Sequence, residues 1–519
     1  MGKSTWKVVL AGVLAAGTIG CSEQSGGTNS NKSADGTKAD SSASAKPADK
    51  KEPPKVYVYT GAPANPSKAA DLELVRKEII AKSGIEIVPI IAPVSQYEEK
   101  LNLLLASNES PDLFPGASDV YRIKGATQPI TGLLDQYGSN IRKLWPKDWA
   151  NAWPAVSDDK GQIWGVPIIP ALAEKTAMIR TDWLKKVNLP MPTTMDEFEN
   201  VLKAFKEQDP AGKGQTIPLL VDLIGLNLGL SAGFMDVGYG NWLDKDGKIK
   251  PAELHPGYKQ FVAKMAEWYQ KGYIYKETFT INWDRMKELI KQNRVASTAL
   301  HVTVVTNPQA ALQTTVPEAK YEVPPALKGP QGNVRTMQGY STYGTLLSKT
   351  ARDPQAAVKL LDWIHSDIEN YFLLMYGIKD KHWRYIDPAN HIVERINQDY
   401  AGEFLTGSSF AYTVQFSSSD PAVKPEIEYY NKYVANPVTS KAEFTSGVSY
   451  KFDQKAIADK LPNREDISRM INEEVTKFIM GARPMADYDK FVQDLYAAGL
   501  DKWIDVYTEQ YNKAKSSGQ

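Results

Sequence analysis

The chain has 519 residues and a formal net charge of zero, with 61 Lys and Arg against 61 Asp and Glu. At roughly 150 residues per domain this is about two to four domains, and the 42% apolar and 24% charged fractions are those of an ordinary globular protein. The balanced charge argues against a nucleic-acid binder, which carries a basic excess. A single cysteine, Cys21, rules out an intrachain disulfide and any multi-cysteine metal site. The five histidines show no zinc-motif spacing. The 12 Trp and 26 Tyr are enough both for a core and for flat apolar ligand platforms.

The chain opens with Lys3 and Lys7, an apolar run from Val8 to Ile19, and Gly20 before Cys21. This is the three-part form of a secretory signal. The run is too short to cross a bilayer of about 30 Å as a helix. Thr18-Ile-Gly-Cys21 resembles the lipobox of bacterial lipoproteins, in which the cysteine is acylated and becomes the mature N-terminus. The resemblance implies a signal peptide over 1–20 and a lipid anchor on Cys21. Residues 21–54 follow without a large apolar side chain. They cannot bury enough surface to fold and read as a disordered tether.

The folded body begins as an α/β protein. Lys55–Tyr59 is a β-branched and aromatic strand. After a loop over Thr60–Pro66, Leu72, Val75 and Ile79 fall at helical spacing, and Gly84 ends that helix. Ile85–Ile91 reads as a second strand, Tyr97–Ala106 as a second helix, and Ser110–Phe114 as a turn into a third strand. Strand–helix alternation gives a mostly parallel sheet with helices on its faces. Ligands gather at the carboxyl ends of such strands. Further on, Thr194 and Glu197 form a capping box. Asp244–Gly247 is a hairpin turn, residues 292–312 are a strand–helix unit, and Ser341–Leu347 is a strand. Asp353-Pro354 caps a long helix.

The order of these segments resembles the extracellular solute-binding proteins of bacterial ABC importers, family 1, and within it the long carbohydrate-binding lipoproteins related to alginate-binding proteins. The carriers are Leu103–Phe114, Gly132–Asp135, Trp164–Pro167, Ile179–Leu184 with Leu189–Glu197, Asp209–Gly212 with Ile217–Leu219, and Asp353–Ile364 with Tyr376-Gly377. They are collinear from about residue 55 to about 400. The resemblance implies a two-lobed periplasmic-binding-protein-like fold of type II, with the ligand cleft at the hinge. The first crossing is expected near Met178–Asp182 and the return near Glu322–Leu327. Lobe one then holds 55–178 and 325–390, and lobe two holds 179–324 and, with the C-terminal helices, 391–519. The implied partners are a carbohydrate ligand, the permease subunits of an ABC transporter, and the membrane through Cys21. The implied protein is a monomer on the extracellular or periplasmic side of the cell membrane. No cofactor is expected. Several relatives carry a calcium loop where this chain has Asp209–Thr216, and Ala211 and Lys213 stand where oxygen ligands are needed.

A sugar ring offers an apolar face to an aromatic side chain and a hydroxyl edge to carboxylates, amides and Arg. On that chemistry the expected ligand residues are Asp119, Trp242, Trp283, Tyr340 and Trp383. Arg122, Lys124 and Arg384 are the cations an acidic sugar would require. Trp183, Trp268 and Trp363 lie within apolar helix patterns and read as core. Three rivals stay open: the same fold holding a peptide or another small solute, a tethered glycosidase with two carboxylates hidden among the acids, and a surface adhesin or sensor accessory.

Overall fold

The structure, a computed structural model, describes residues 52–516 apart from 64, 94–95, 108, 146–151, 169–174, 338–341, 408–409, 414, 422, 435–444 and 449–451. Along the chain run β1 (Lys55–Gly61), β2 (Glu86–Ala92), β3 (Leu113–Ala117), β4 (Gly165–Pro167), β5 (Lys175–Arg180) and β6 (Ile217–Leu220). Then come β7 (Asn241–Leu243), β8 (Ile249–Pro251), β9 (Val295–His301), β10 (Tyr321–Glu322), β11 (Thr336–Met337) and β12 (Tyr343–Leu347).

The first sheet has the order β2-β1-β3-β12-β4, and the second the order β10-β5-β9-β6. Both are mixed. In the first, β1, β2, β3 and β4 share one direction and β12 alone opposes it. In the second, β6, β9 and β10 share a direction and β5 alone opposes it. The expectation of mostly parallel sheets therefore holds for strand direction, with one reversed strand inserted in each.

Both faces of each sheet are covered. Val56, Val58, Ile87, Leu113 and Leu347 pack on the helices Ala69–Ser83 and Pro354–Ile364, while Tyr59, Phe114 and Leu346 pack with Leu101 on the other face. In the second sheet, Ile179, Leu219 and Ala296 face the helices Met195–Gln208 and Pro256–Gln270, together with the C-terminal helices. The other face forms a third cluster that joins Met178, Leu220 and Leu300 to Ile168, just past β4, and to Tyr429 and Tyr433. The helices form where the sequence predicts them. Gly84 ends the first with φ 70° and its N–H bonded to the Ile80 carbonyl. At the capping box the Glu197 N–H reaches Thr194 Oγ1 at 3.2 Å, but the Glu197 carboxylate returns to the N–H and hydroxyl of Thr193 rather than to Thr194.

Sheet membership moves the expected crossings. Lys175 already pairs with His301, so the chain enters the second sheet between Pro167 and Lys175, before Met178. Leu327 and Val334 still belong to the second core, so the return lies between Met337 and Tyr343, later than Glu322–Leu327. The tail also divides later than residue 390. Val393, Tyr400, Phe404, Tyr412 and Ile427 pack in the first core, whereas Ile457, Phe478 and Trp503 pack in the second. The helix Gln454–Lys460, rooted in the second core through Ile457, packs against the helix Ser118–Ile123 that follows β3.

Arg180, at the far end of β5, is wholly buried. Its Nε and Nη2 donate to the two oxygens of Asp182 at 2.8 and 2.7 Å, and its Nη1 donates to Asn293 Oδ1 at 2.8 Å. The guanidinium lies 4.3 Å over Trp183 and 5.6 Å over Tyr321, whose strand β10 pairs with β5 at this residue. A buried pair of this kind is costly to break, because the survivor keeps its charge without a partner. Asp182→Ala is therefore expected to lower unfolding free energy by about 3–5 kcal/mol in a urea titration.

The loop expected to have lost calcium closes on itself. Asp209, at φ 45°, accepts the Gly214 N–H at 2.6 Å and the Thr216 N–H at 3.0 Å, and the Ala211 N–H bonds Thr216 Oγ1 at 3.0 Å. The Thr216 hydroxyl and these amides hold the Asp209 carboxyl below its usual range. With its carboxylate engaged and no side-chain oxygen at Ala211 or Lys213, the loop does not fit a cation that takes six to eight oxygen ligands. Thermal unfolding in calcium and in EDTA is expected to agree within about 1 °C.

Candidate functional site

The carboxyl edges of the two sheets carry the residues best placed to hold a ligand. β4 ends at the carboxyl edge of the first sheet, and β5 begins at the carboxyl edge of the second. The seven residues between Pro167 and Lys175 span at most about 28 Å even when extended. The return strand β12 likewise enters the first sheet at its carboxyl edge, with Tyr343 opposite Ala117.

On the first edge, Asp119 stands in the first turn of the helix Ser118–Ile123. Its Oδ1 is buried and has no hydrogen-bond partner. Beside it, Tyr343 is 40% exposed at the start of β12. Tyr97 begins the helix after β2, and its ring lies 4.7 Å from that of Tyr59, whose hydroxyl donates to the Tyr97 carbonyl at 2.6 Å. Tyr121 packs edge-on to Phe114, under Gly116, where a Cβ would lie 2.6 Å from the Tyr121 ring. Burial, then the Glu98 carboxylate and Tyr343, push the Tyr121 hydroxyl up to about 12. Burial and the neighbouring tyrosines raise Tyr97 as well. These phenols are thus neutral donors across the physiological range.

On the second edge, Asn282 caps the helix Trp283–Lys291 through the Arg285 N–H at 2.9 Å, which sets Trp283 at the first helical position. The indole is 44% exposed, and its Nε1 donates to Asp222 Oδ2 at 3.4 Å. Asp222 in turn caps the helix after β6 by accepting the Gly225 N–H with Oδ1 at 2.5 Å. Lys175 Nζ lies 5.0 Å over the Trp283 ring, and the ring of His301, the last residue of β9, is 6.2 Å away. Ile224, 59% exposed, adds an apolar side chain next to Asp222. The second edge thus offers an exposed aromatic face with a carboxylate oxygen at hand, and the first an exposed Tyr343 with Asp119 on the adjoining helix.

Of the residues expected from the sequence, Asp119 and Trp283 lie on these edges. Trp242 lies elsewhere. It is 9% exposed within the β7–β8 hairpin, with Nε1 bonded to the Pro251 carbonyl at 3.1 Å and its ring against His255. It packs under the hairpin. Trp383 is a core residue and not a ligand contact. It is 1% exposed, donates Nε1 to the Gly377 carbonyl at 2.9 Å, and packs edge-on against Phe372 at 4.9 Å. Its hairpin, Trp383–Asp387 with Ile392–Arg395, covers the first core and leaves no ring face for a solute. Tyr340 and Cys21 lie outside the described residues. Sequence reasoning passed over Tyr97, Asp222, Lys175 and His301. The signal for Asp222 was there, since it sits between the run Ile217–Val221 and a helix it caps.

Among the described residues no helix is long and apolar enough to cross a membrane. The fructooligosaccharide ABC transporter substrate-binding protein FusA of Streptococcus pneumoniae is 22% identical, over 89% of this chain and 91% of its own. The lipoprotein LipO of Bacillus subtilis is 26% identical, over 70% of this chain and 73% of its own. The crystal structure of the alginate-binding protein AlgQ2 without calcium ion superposes with a TM-score of 0.64 at 20% identity, covering 89% of this chain and 98% of that one. The likeness confirms the α/β periplasmic-binding-protein-like fold. Residues 61–369, more than half of the chain, match the family model of the bacterial extracellular solute-binding proteins, and the chain belongs to that family.

Proposed function

We propose that this protein is the substrate-binding component of an ABC importer, held to the membrane by a lipid on Cys21, and that it captures an oligosaccharide between two lobes for a membrane permease. The members of its family bind solutes and are not enzymes. The observation that carries the ligand class is the exposed Trp283 ring with Asp222 at its indole on the second edge, together with the exposed Tyr343 ring and the Asp119 carboxylate on the first. A pyranose or furanose stacks its C–H face on such rings and donates its hydroxyls to such oxygens. FusA and AlgQ2 are both named for saccharides. The lipid anchor is supported by the lipobox-like run before Cys21 and by LipO, named a lipoprotein.

The lobes follow the sheets. Lobe one takes residues 55–168 and 343–427, and lobe two takes 175–337 and 445–516. Hinge closure brings the two carboxyl edges together over the ligand, and the closed form is what a permease would select. The helix Gln454–Lys460, rooted in the second core, already touches the helix Ser118–Ile123 of lobe one.

Calorimetric titration of the purified chain with oligosaccharides tests this reading. Trp283→Ala and Tyr343→Ala are each expected to raise Kd roughly tenfold with little change in Tm, because both rings are well exposed. Trp383→Phe is expected to do the reverse, lowering Tm and leaving Kd alone. Binding of peptides with no saccharide bound would replace the ligand class, and recovery of a cleaved sugar would overturn the transport reading.

A further inference from the structure

Membership in the family does not choose between neutral and acidic sugars, since FusA is named for fructooligosaccharides and AlgQ2 for alginate, a chain of uronic acids. We infer that this site selects an uncharged oligosaccharide and discriminates against uronic-acid chains, and that Asp119 and Asp222 set the choice. The inference rests on the saccharide reading above and concerns the same site.

The charge at the two edges is the first ground. Asp119 brings a buried carboxylate oxygen with no partner. Asp222 keeps Oδ2 engaged only by a 3.4 Å contact from the Trp283 indole, while Oδ1 is spent on the helix cap. Glu98 lies close enough to Tyr121 and Tyr343 to raise both phenols. A hydroxyl donates to any of these oxygens. A carboxylate brings acceptors and a like charge, and has no proton to give them.

The placement of the cations is the second ground. Arg384 is turned to Glu394 across its own hairpin, at 2.6 Å from Nε and 2.5 Å from Nη2. Lys124 donates to Asn102 Oδ1 at 3.1 Å and lies 5.1 Å over the ring of Tyr121, so it is the cation of the first edge. Arg122 lies 5.8 Å over the ring of Trp164, the residue before β4, whose indole donates to Asp158. The cation at the second edge is Lys175, held over Trp283, whose indole N–H is itself turned to Asp222. Two lysines, Lys124 and Lys175, and His301 therefore stand against three carboxylates, Asp119, Glu98 and Asp222. A uronate chain carries one negative charge on every ring, so repeated like-charge contact would disfavour it by on the order of tenfold or more.

The test is calorimetric titration of the purified chain with length-matched probes. The neutral probes are fructo-, manno-, xylo- and gluco-oligosaccharides, and the acidic ones are galacturonate and mannuronate oligosaccharides. The expected result is a neutral series that binds and uronates that bind at least about tenfold more weakly. Added salt should narrow that gap, because it screens the repulsion. Asp119→Asn and Asp222→Asn keep the shape and remove the charge. Each is expected to narrow the ratio severalfold, in variants whose Tm shows that they fold. Uronates that bind as tightly as the neutral probes would overturn the selectivity and leave the saccharide reading standing. A ratio unchanged in both Asn variants would overturn the assignment to Asp119 and Asp222. Binding of neither series would remove the saccharide reading itself, and this inference with it.

Discussion

The reversed strand in each sheet is the constraint on which the rest of the architecture depends. An all-parallel sheet receives each strand at its amino edge, after a crossover helix has carried the chain back. Here the chain leaves the carboxyl edge of the first sheet at Pro167 and enters the second sheet at its carboxyl edge, at Lys175. A strand entering there has to run against its neighbours, as β5 does. The return repeats the device with β12, which begins at Tyr343 opposite the last residue of β3. One short connection, from Pro167 to Lys175, therefore ties carboxyl edge to carboxyl edge, and a longer return from β10 through β11 ends at the same edge of the first sheet. The loops that α/β sheets use for ligands are set against one another by topology, and the proposed ligand site draws on both sheets.

Such an arrangement needs a firm root and a yielding middle. The root of the second sheet is Arg180, at the amino edge, where the bidentate pair with Asp182 and the rings of Trp183 and Tyr321 fix β5 against β10. Near the crossings the packing is shared. Ile168 from the end of β4 joins the cluster of Met178, Leu220 and Leu300, and Tyr429 and Tyr433 from the tail complete it. Apolar contact of this kind is non-directional, so it tolerates small rotations better than a hydrogen-bonded network does. The tail adds a third link. It leaves the first core after Ile427 and rejoins the second before Ile457, and the helix around Ile457 reaches back to the helix that bears Asp119.

The sequence showed local order well and side-chain fate poorly, for one physical reason. Helix starts and stops depend on neighbours a few residues away, so Gly84, Thr194 and Asp353 could be placed from composition alone. The burial of an aromatic depends on what the fold brings to it. Trp283 and Trp383 both sit among polar residues, yet one opens a helix at the ligand edge and the other is enclosed by Phe372 and the Gly377 carbonyl. Asp119 was singled out by its resemblance in position and by Tyr121 and Arg122 beside it, and the structure sets it in the first turn of the helix after β3. Lys175 and His301 were not, since only the pairing of β5 with β9 puts them side by side at one edge. The crossings were expected near Met178–Asp182 and Glu322–Leu327 from the resemblance and not from local pattern, and only the register of β5 against β9 shows Met178 and Ile179 to be strand residues.

Stability by itself gives no reason for what remains at the two edges. A buried carboxylate oxygen without a donor, as in Asp119, is a cost that a hydroxyl, amide or second cation would relieve. A tryptophan left 44% exposed forgoes much of the gain that burying its ring would bring. Several comparable groups elsewhere are settled, although the buried indoles of Trp183 and Trp268 also lack a partner. Asp112, Asp182 and Asp209 each accept at least two hydrogen bonds, and the indoles of Trp242 and Trp383 both find a carbonyl. Local choices that conflict with folding, in a protein otherwise consistent with it, mark the places where another demand has set the residue. Asp119 and Trp283 are the pair of such groups that stand on the carboxyl edges, where topology sets the two sheets against one another.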